Sequence, residues 1–235
     1  MLRAHIIKKR RELQVDVELE LEPGSALGLF GASGAGKSTV LACIAGIEEP
    51  DHGLVQLNGL RLFPPSLPLH RRPLGYLTQE PGLFPHLSVS ENINFGIQKE
   101  VAATTEQRQW IETLRDRLQL GPQWNAPASL ISGGQARRVS LARMLARKPP
   151  LVLLDEPFAG LDRQLVRELI DDLVFWAQSI GFSMIAVDHQ AEVLKRLCPQ
   201  QAIVLEQGKI VQRGTWSQLY SAPATPLLGS LLAPL

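Results

Sequence analysis

Between Leu13 and Leu21 every second residue is aliphatic, and the residues between are Gln, Asp, Glu and Glu. That period of two predicts a strand with one buried and one wet face, and the reading extends back to Ile6. Pro23-Gly24 makes a turn. Ala26 to Phe30 is a short apolar run, as expected of a strand covered on both faces, and it leads directly into Gly31 to Thr39. Val40 to Ala45 then suits a helix that stops at Gly46. Residues 57–95 are rich in Pro and Gly and predict mostly short strands and loops. Helical spacing returns at 104–120, where Trp110, Ile111, Leu114 and Leu118 share a face and Gly121-Pro122 ends the segment. A second helix is predicted from Ser132 to Arg147, ending before Pro149. A third, capped by Asp162 and carrying Leu165, Leu169, Ile170, Leu173 and Val174, should end near Gly181. Leu151 to Leu154, Ser183 to Val187 and Ala202 to Leu205 are further buried-strand runs. Strands alternating with helices predict an α/β fold with a parallel sheet covered on both faces. The helix-rich middle, residues 80–150, reads as an inserted lobe.

Composition narrows the class. The chain has 235 residues, 45% hydrophobic and 20% charged, with 24 Lys and Arg against 23 Asp and Glu. That is enough for one buried core with a smaller lobe, and it excludes disorder over most of the length. A net charge of +1 gives no broadly basic surface for nucleic acid. No apolar run approaches the roughly 20 residues that span a bilayer. Met1 to Arg11 is charged with no apolar stretch after it, so no secretory signal is expected. Cys43 and Cys198 are too few for a disulfide scaffold and are expected to be reduced and structural.

Gly31-x-x-x-x-Gly36-Lys37-Ser38 matches a phosphate-binding loop in full, with a strand before it and a helix after it. Glycines at 31, 34 and 36 permit unusual backbone angles, and with Ser33, Ala35 and Thr39 they turn N–H groups toward an anion. The helix that starts near Lys37 aims its positive end at the same place. Lys37 should reach the β- and γ-phosphates, and the Ser38 hydroxyl should hold Mg²⁺. The strand 151–155 ends in Asp155, placed for a Mg²⁺-holding carboxylate, and Glu156 beside it suits a base for the attacking water. No guanine-reading Asn-Lys-x-Asp stretch is present.

Ile131-Ser-Gly-Gly-Gln135, 20 residues before Asp155, resembles the signature of ATP-binding cassette (ABC) ATPases, with Ile for the usual Leu. Tyr76-Leu-Thr-Gln79 resembles the family's Q-loop, Ala159-Gly-Leu-Asp162 its D-loop, and Val187-Asp-His189 its switch-histidine strand. Val204 to Gly214 looks like the hairpin near the end of such cassettes. The resemblance covers nearly the whole chain and implies a P-loop NTPase (RecA-like) core with an antiparallel β subdomain and an inserted α-helical subdomain. Residues 1–79 and 151–235 would form the core and 80–150 the insertion. It further implies that Gln79 contacts Mg²⁺ and the attacking water, and that His189 binds the γ-phosphate and holds Glu156. Ser132, Gly133, Gly134 and Gln135 would cap ATP bound by a second copy of the chain, head to tail.

Glu80 to Ile93 is similar to the segment after the Q-loop in importers for molybdate, sulfate, iron and polyamines. There the region receives a helix of a separate membrane permease, which places the contact at Leu83–Leu87. The overall look is most like the ATPase subunit of molybdate importers. That implies a peripheral protein on the cytoplasmic face of the inner membrane, served indirectly by a solute-binding protein, with no nucleic-acid partner. The alternatives are a soluble ABC ATPase acting on DNA or ribosomes, or an importer ATPase for sulfate, iron or polyamines. Two departures stand out. Residues 5–11 offer no aromatic to stack on adenine, and the chain ends at Leu235, so a C-terminal oxyanion-binding domain is expected to be missing. Cys198-Pro-Gln-Gln201 stands where an Ala-Asp-Arg-like turn is common.

Overall fold

The structure, a computed structural model, describes residues 1–95, 97 and 104–233. Its first elements are the alternating segment itself. Strands β1 (Leu2–Arg10) and β2 (Leu13–Leu21) form an antiparallel hairpin in continuous register from Leu2 opposite Leu21 to Arg10 opposite Leu13. Then come β3 (Ala26–Phe30), α1 (Lys37–Ala45), β4 (His52–Leu57), β5 (Leu60–Phe63) and β6 (Gly75–Leu77). Three helices follow: α2 (Val89–Phe95), α3 (Thr105–Arg117) and α4 (Gly133–Leu145). The chain returns through β7 (Leu151–Asp155), α5 (Arg163–Ile180), β8 (Ser183–Val187), α6 (Ala191–Leu197), β9 (Gln201–Glu206) and β10 (Lys209–Gly214). Helices α7 (Trp216–Ser221) and α8 (Pro226–Leu232) come last.

Among the described residues the strands form one sheet in the order β5-β4-β1-β2-β10-β9-β3-β8-β7-β6. One half, β9-β3-β8-β7-β6, is parallel. In the other, β5, β4, β1 and β2 pair antiparallel. The parallel strands bury residues on both faces, which is why they read as unbroken apolar runs. Leu151, Leu153, Ile185 and Val187 join one core with α1 and the first hairpin. Val152, Leu154, Met184 and Ala186 face a second core with α3, α4 and α5. Helix α1 lies between the two halves of the sheet, touching β1, β2 and β7. Burial of every residue but Ser38 explains why its Val40–Ala45 part is apolar all round rather than striped.

The three long helices fall where periodicity places them, trimmed at the ends: 104–120 becomes Thr105–Arg117 and 132–147 becomes Gly133–Leu145. The strands fall in place but run longer: β1 begins at Leu2 rather than Ile6, β7 reaches Asp155, and β9 spans Gln201–Glu206. Residues 57–95 depart from expectation, because α2 ends that stretch. Its start is a reciprocal cap: Ser88 N–H donates to Glu91 at 2.8 Å and Glu91 N–H donates to Ser88 Oγ at 3.2 Å. Helices α6, α7 and α8, of six or seven residues each, are too short to show a period. No helix among the described residues is long and apolar enough to cross a membrane. Cys43 and Cys198 are both free and buried.

Candidate functional site

The loop from Gly31 to Gly36 joins β3 to α1, at the ends of the parallel strands. Two of its glycines are enforced by neighbours. At Gly31 (φ +143°) a Cβ would lie 2.2 Å from the Leu205 carbonyl oxygen, and at Gly36 (φ +100°) it would lie 2.8 Å from Val15 Cγ2. Gly34, at φ +79°, faces open space, as do exposed Ser33 and Ser38. Ala35 and Thr39 are buried beneath. The loop is thus packed against β2 and β9 on one side and open on the other, as a cradle for an anion requires.

Lys37 lies inside this cradle, its ammonium donating to the Gly31 and Ala32 carbonyls at 2.8 Å each. Burial lowers its pKa, against the pull of Glu156, Asp155 and Asp188. The next residue reaches across to β7: Ser38 Oγ donates to Asp155 Oδ1 at 3.1 Å, and Tyr76 Oη donates to Oδ2 at 3.3 Å. Burial raises the Asp155 pKa, and these two hydrogen bonds oppose it. The Tyr76 phenol is pushed up by burial and by Asp155. A hydroxyl and one carboxylate are hard oxygen donors that suit Mg²⁺ held jointly with phosphate oxygens. No cluster of three or more His, Cys, Asp or Glu offers a self-contained metal cage among the described residues.

Glu156 follows at φ +47°. A left-handed backbone costs roughly 1–2 kcal/mol for a residue with a Cβ. Its N–H donates to the Val187 carbonyl at 2.9 Å, and its Oε2 accepts from Gln79 Nε2 at 3.3 Å. The Q-loop glutamine and the acid after β7 are therefore in direct contact. His189 is exposed, with Nδ1 3.5 Å from Asp188 Oδ1 and Nε2 3.4 Å from Gln190 Nε2. Its ring and Glu156 line one cavity of about 690 Å³ with residues 158–161. Burial raises the Asp188 pKa.

The signature residues sit apart from this cradle. Ser132 and Gln135 close a reciprocal cap on α4, Gln135 N–H donating to Ser132 Oγ at 3.3 Å and Ser132 N–H to Gln135 Oε1 at 2.8 Å. Ser132 and Gly133 are exposed. No hydrogen bond joins residues 132–135 to the phosphate loop among the described residues.

A cavity of about 400 Å³ opens between β6 and α4, lined by Tyr76, Phe84, Phe95, Arg143 and Arg147. Phe84 rests 4.5 Å from Phe95, with the Arg143 guanidinium 5.7 Å over its ring. Of the expected Leu83–Leu87 contact, Phe84 lines this groove, while Leu83 packs against the core. Sequence reasoning passed over the Tyr76 hydroxyl and Arg137. Arg137 falls on the face of α4 shared by Leu141 and Met144, and a cation at a core-facing spacing is the signal that reveals it.

The family described as ABC transporter matches residues 15–159. The sulfate/thiosulfate import ATP-binding protein of Synechocystis sp. is 38% identical over 91% of this chain and 59% of its own length. The molybdate/tungstate import ATP-binding protein of Thermococcus kodakarensis is 36% identical over 97% of this chain and 68% of its own. Other matches are named for Fe(3+) and for spermidine/putrescine import. The chain spans about three fifths of the length of the first two sulfate/thiosulfate relatives. A solved ATP-binding subunit of an ABC transporter superposes with a TM-score of 0.85 at 24% identity, covering 99% of this chain and 100% of that one. A bacterial ABC transporter cassette solved as a dimer gives 0.80 at 25%, covering 92% and 98%. The fold is that of an ABC ATPase cassette.

Proposed function

Because this chain belongs to the ABC transporter family, we propose that it is the ATP-hydrolysing subunit of an importer, working as a head-to-tail pair beside a separate membrane permease. The observation that carries the reading is the continuous set of contacts from phosphate loop to base: Ser38 to Asp155, then Glu156 to Gln79. In this reading the loop N–H groups and Lys37 hold the ATP phosphates, Lys37 exchanging the Gly31 and Ala32 carbonyls for the β- and γ-oxygens. Ser38, Asp155 and Gln79 would hold Mg²⁺, which when bound would neutralise charge at the phosphates. Glu156 accepts a proton from the attacking water, and Gln79 orients both. His189 lines the same cavity and answers to the γ-phosphate. Ser132 to Gln135 of one copy covers the nucleotide of the other, where the α4 N-terminus favours an anion. ATP bridges the pair while ADP cannot, so the pair opens after hydrolysis.

The described residues between 80 and 150 form the inserted subdomain, and the Phe84–Phe95 groove receives the permease on the cytoplasmic side of the membrane. The cargo is a tetrahedral oxyanion such as molybdate. Support for it comes from the relatives named for sulfate/thiosulfate and molybdate/tungstate import. Titration of ATP against the purified chain tests the site directly. Lys37→Ala should weaken binding more than about tenfold, equivalent to ~1.4 kcal/mol, and abolish phosphate release. Unchanged affinity would remove the loop from nucleotide binding.

A further inference from the structure

Arg137 is 2% exposed, yet no carboxylate pairs with it among the described residues. Its guanidinium is spent on backbone carbonyls instead. Nε donates to Pro157 O at 2.9 Å, Nη1 to Gln79 O at 2.8 Å and to Thr78 O, and Nη2 to Asp155 O at 2.7 Å and to Glu156 O. Five N–H donors thus meet five carbonyls, the full capacity of the group. Those carbonyls belong to two segments, the Q-loop and the end of β7, while Arg137 itself rides on α4, five residues after Ser132.

The geometry around Glu156 gives this clamp a purpose. Glu156 holds φ at +47°, a conformation that an L-residue keeps only when its surroundings impose it. Its N–H is taken by Val187 O. The carbonyls on either side of its Cα, Asp155 O and Glu156 O, both go to Arg137 Nη2. The same guanidinium fixes the Gln79 carbonyl, and the Gln79 side chain donates to Glu156 Oε2. One buried cation therefore sets both partners of the Gln79–Glu156 contact.

We propose that Arg137 is a positioning residue for hydrolysis: it sets the Glu156 backbone and the Gln79 segment from the helix that begins at the signature, so the base moves in register with α4. The inference rests on Glu156 being the base for ATP hydrolysis. Lysine cannot replace the guanidinium, because an ammonium has three donors at one point and cannot span two segments.

The test measures kcat for ATP hydrolysis and Kd for ATP in the whole chain, its Arg137→Lys and Arg137→Gln variants, Glu156→Gln, and the double variant Glu156→Gln/Arg137→Gln. Loss of the clamp should lower kcat about 10- to 100-fold, the scale of a misplacement near 1 Å, and leave Kd within about threefold because the phosphate loop is untouched. In the Glu156→Gln background, Arg137→Gln should lower the residual rate no further. Amide hydrogen exchange gives a readout free of activity: Gln79, Glu80, Glu156 and Phe158 should exchange faster in Arg137→Lys, with α1 unchanged. Wild-type kcat in Arg137→Lys, Kd rising in step with the fall in kcat, an additive loss in the double variant, or exchange raised throughout the chain would each overturn the proposal. A wild-type chain that hydrolyses no ATP would count against the parent reading, and the exchange pattern would still decide the clamp.

Discussion

Asp155 shows what a single side chain sacrifices for the site. Burial raises its pKa while Ser38 and Tyr76 hold both of its oxygens. A carboxyl whose folded pKa lies above its unfolded value, about 3.9, binds protons more readily when folded. Its favourable contribution is complete below the unfolded value and disappears as pH climbs through the folded one. In chelator at pH 8, Asp155→Asn should therefore melt higher than wild type, by about 2–4 °C for each ~1 kcal/mol in a chain of this size. The gap should close as pH falls toward 4, and added Mg²⁺ and ATP should stabilise the wild type more than the variant. A variant that melts no higher at pH 8 would contradict buried, penalised charge at Asp155. At this scale the phosphate loop was legible, because Gly31, Gly36, Lys37 and Ser38 act through local spacing. The Arg137 clamp was not, since its five acceptors lie about 20 and 60 residues away in sequence and are backbone atoms that no side-chain pattern encodes.

Among elements, legibility followed length and surroundings. The β1–β2 hairpin and α5 bury one face and show their periods plainly. Helix α1 was found from the loop before it and Gly46 after it, since a helix buried on all sides carries no stripe. Helix α2 was overlooked although Ser88-x-x-Glu91 is a capping pair, because the Pro- and Gly-rich chain before it suggested short strands and loops. Its end contributes Phe95, 59% exposed, to the groove beside Phe84. An aromatic pair in a cavity, with Phe95 exposed and Phe84 half-buried, suits an apolar partner surface. Phe84→Asp should leave basal ATP hydrolysis within about twofold of wild type and uncouple it from cargo uptake in vesicles carrying the permease. Full uptake by the variant would place the permease contact elsewhere.

For the whole molecule, the proposed pairing of two copies turns on where the phosphate loop and the signature lie. The phosphate loop lies on the sheet half of the structure, packed against β2 and β9. The signature caps α4, with Ser132 and Gly133 open to solvent. No hydrogen bond joins the two among the described residues, and in the proposed pair the open helix start of one copy meets the nucleotide of the other. The resemblance to cassettes was legible from motif order alone. The separation of the two half-sites came only with the fold, because it depends on where α4 is placed against the sheet. The central claim is that ATP closes two copies on each other, and its most direct measurement is the solution mass of Glu156→Gln by light scattering, with and without ATP and Mg²⁺. A mass that doubles with ATP and returns to that of one copy with ADP is the predicted result. A variant that binds ATP yet keeps the mass of a single copy at every concentration would contradict the account.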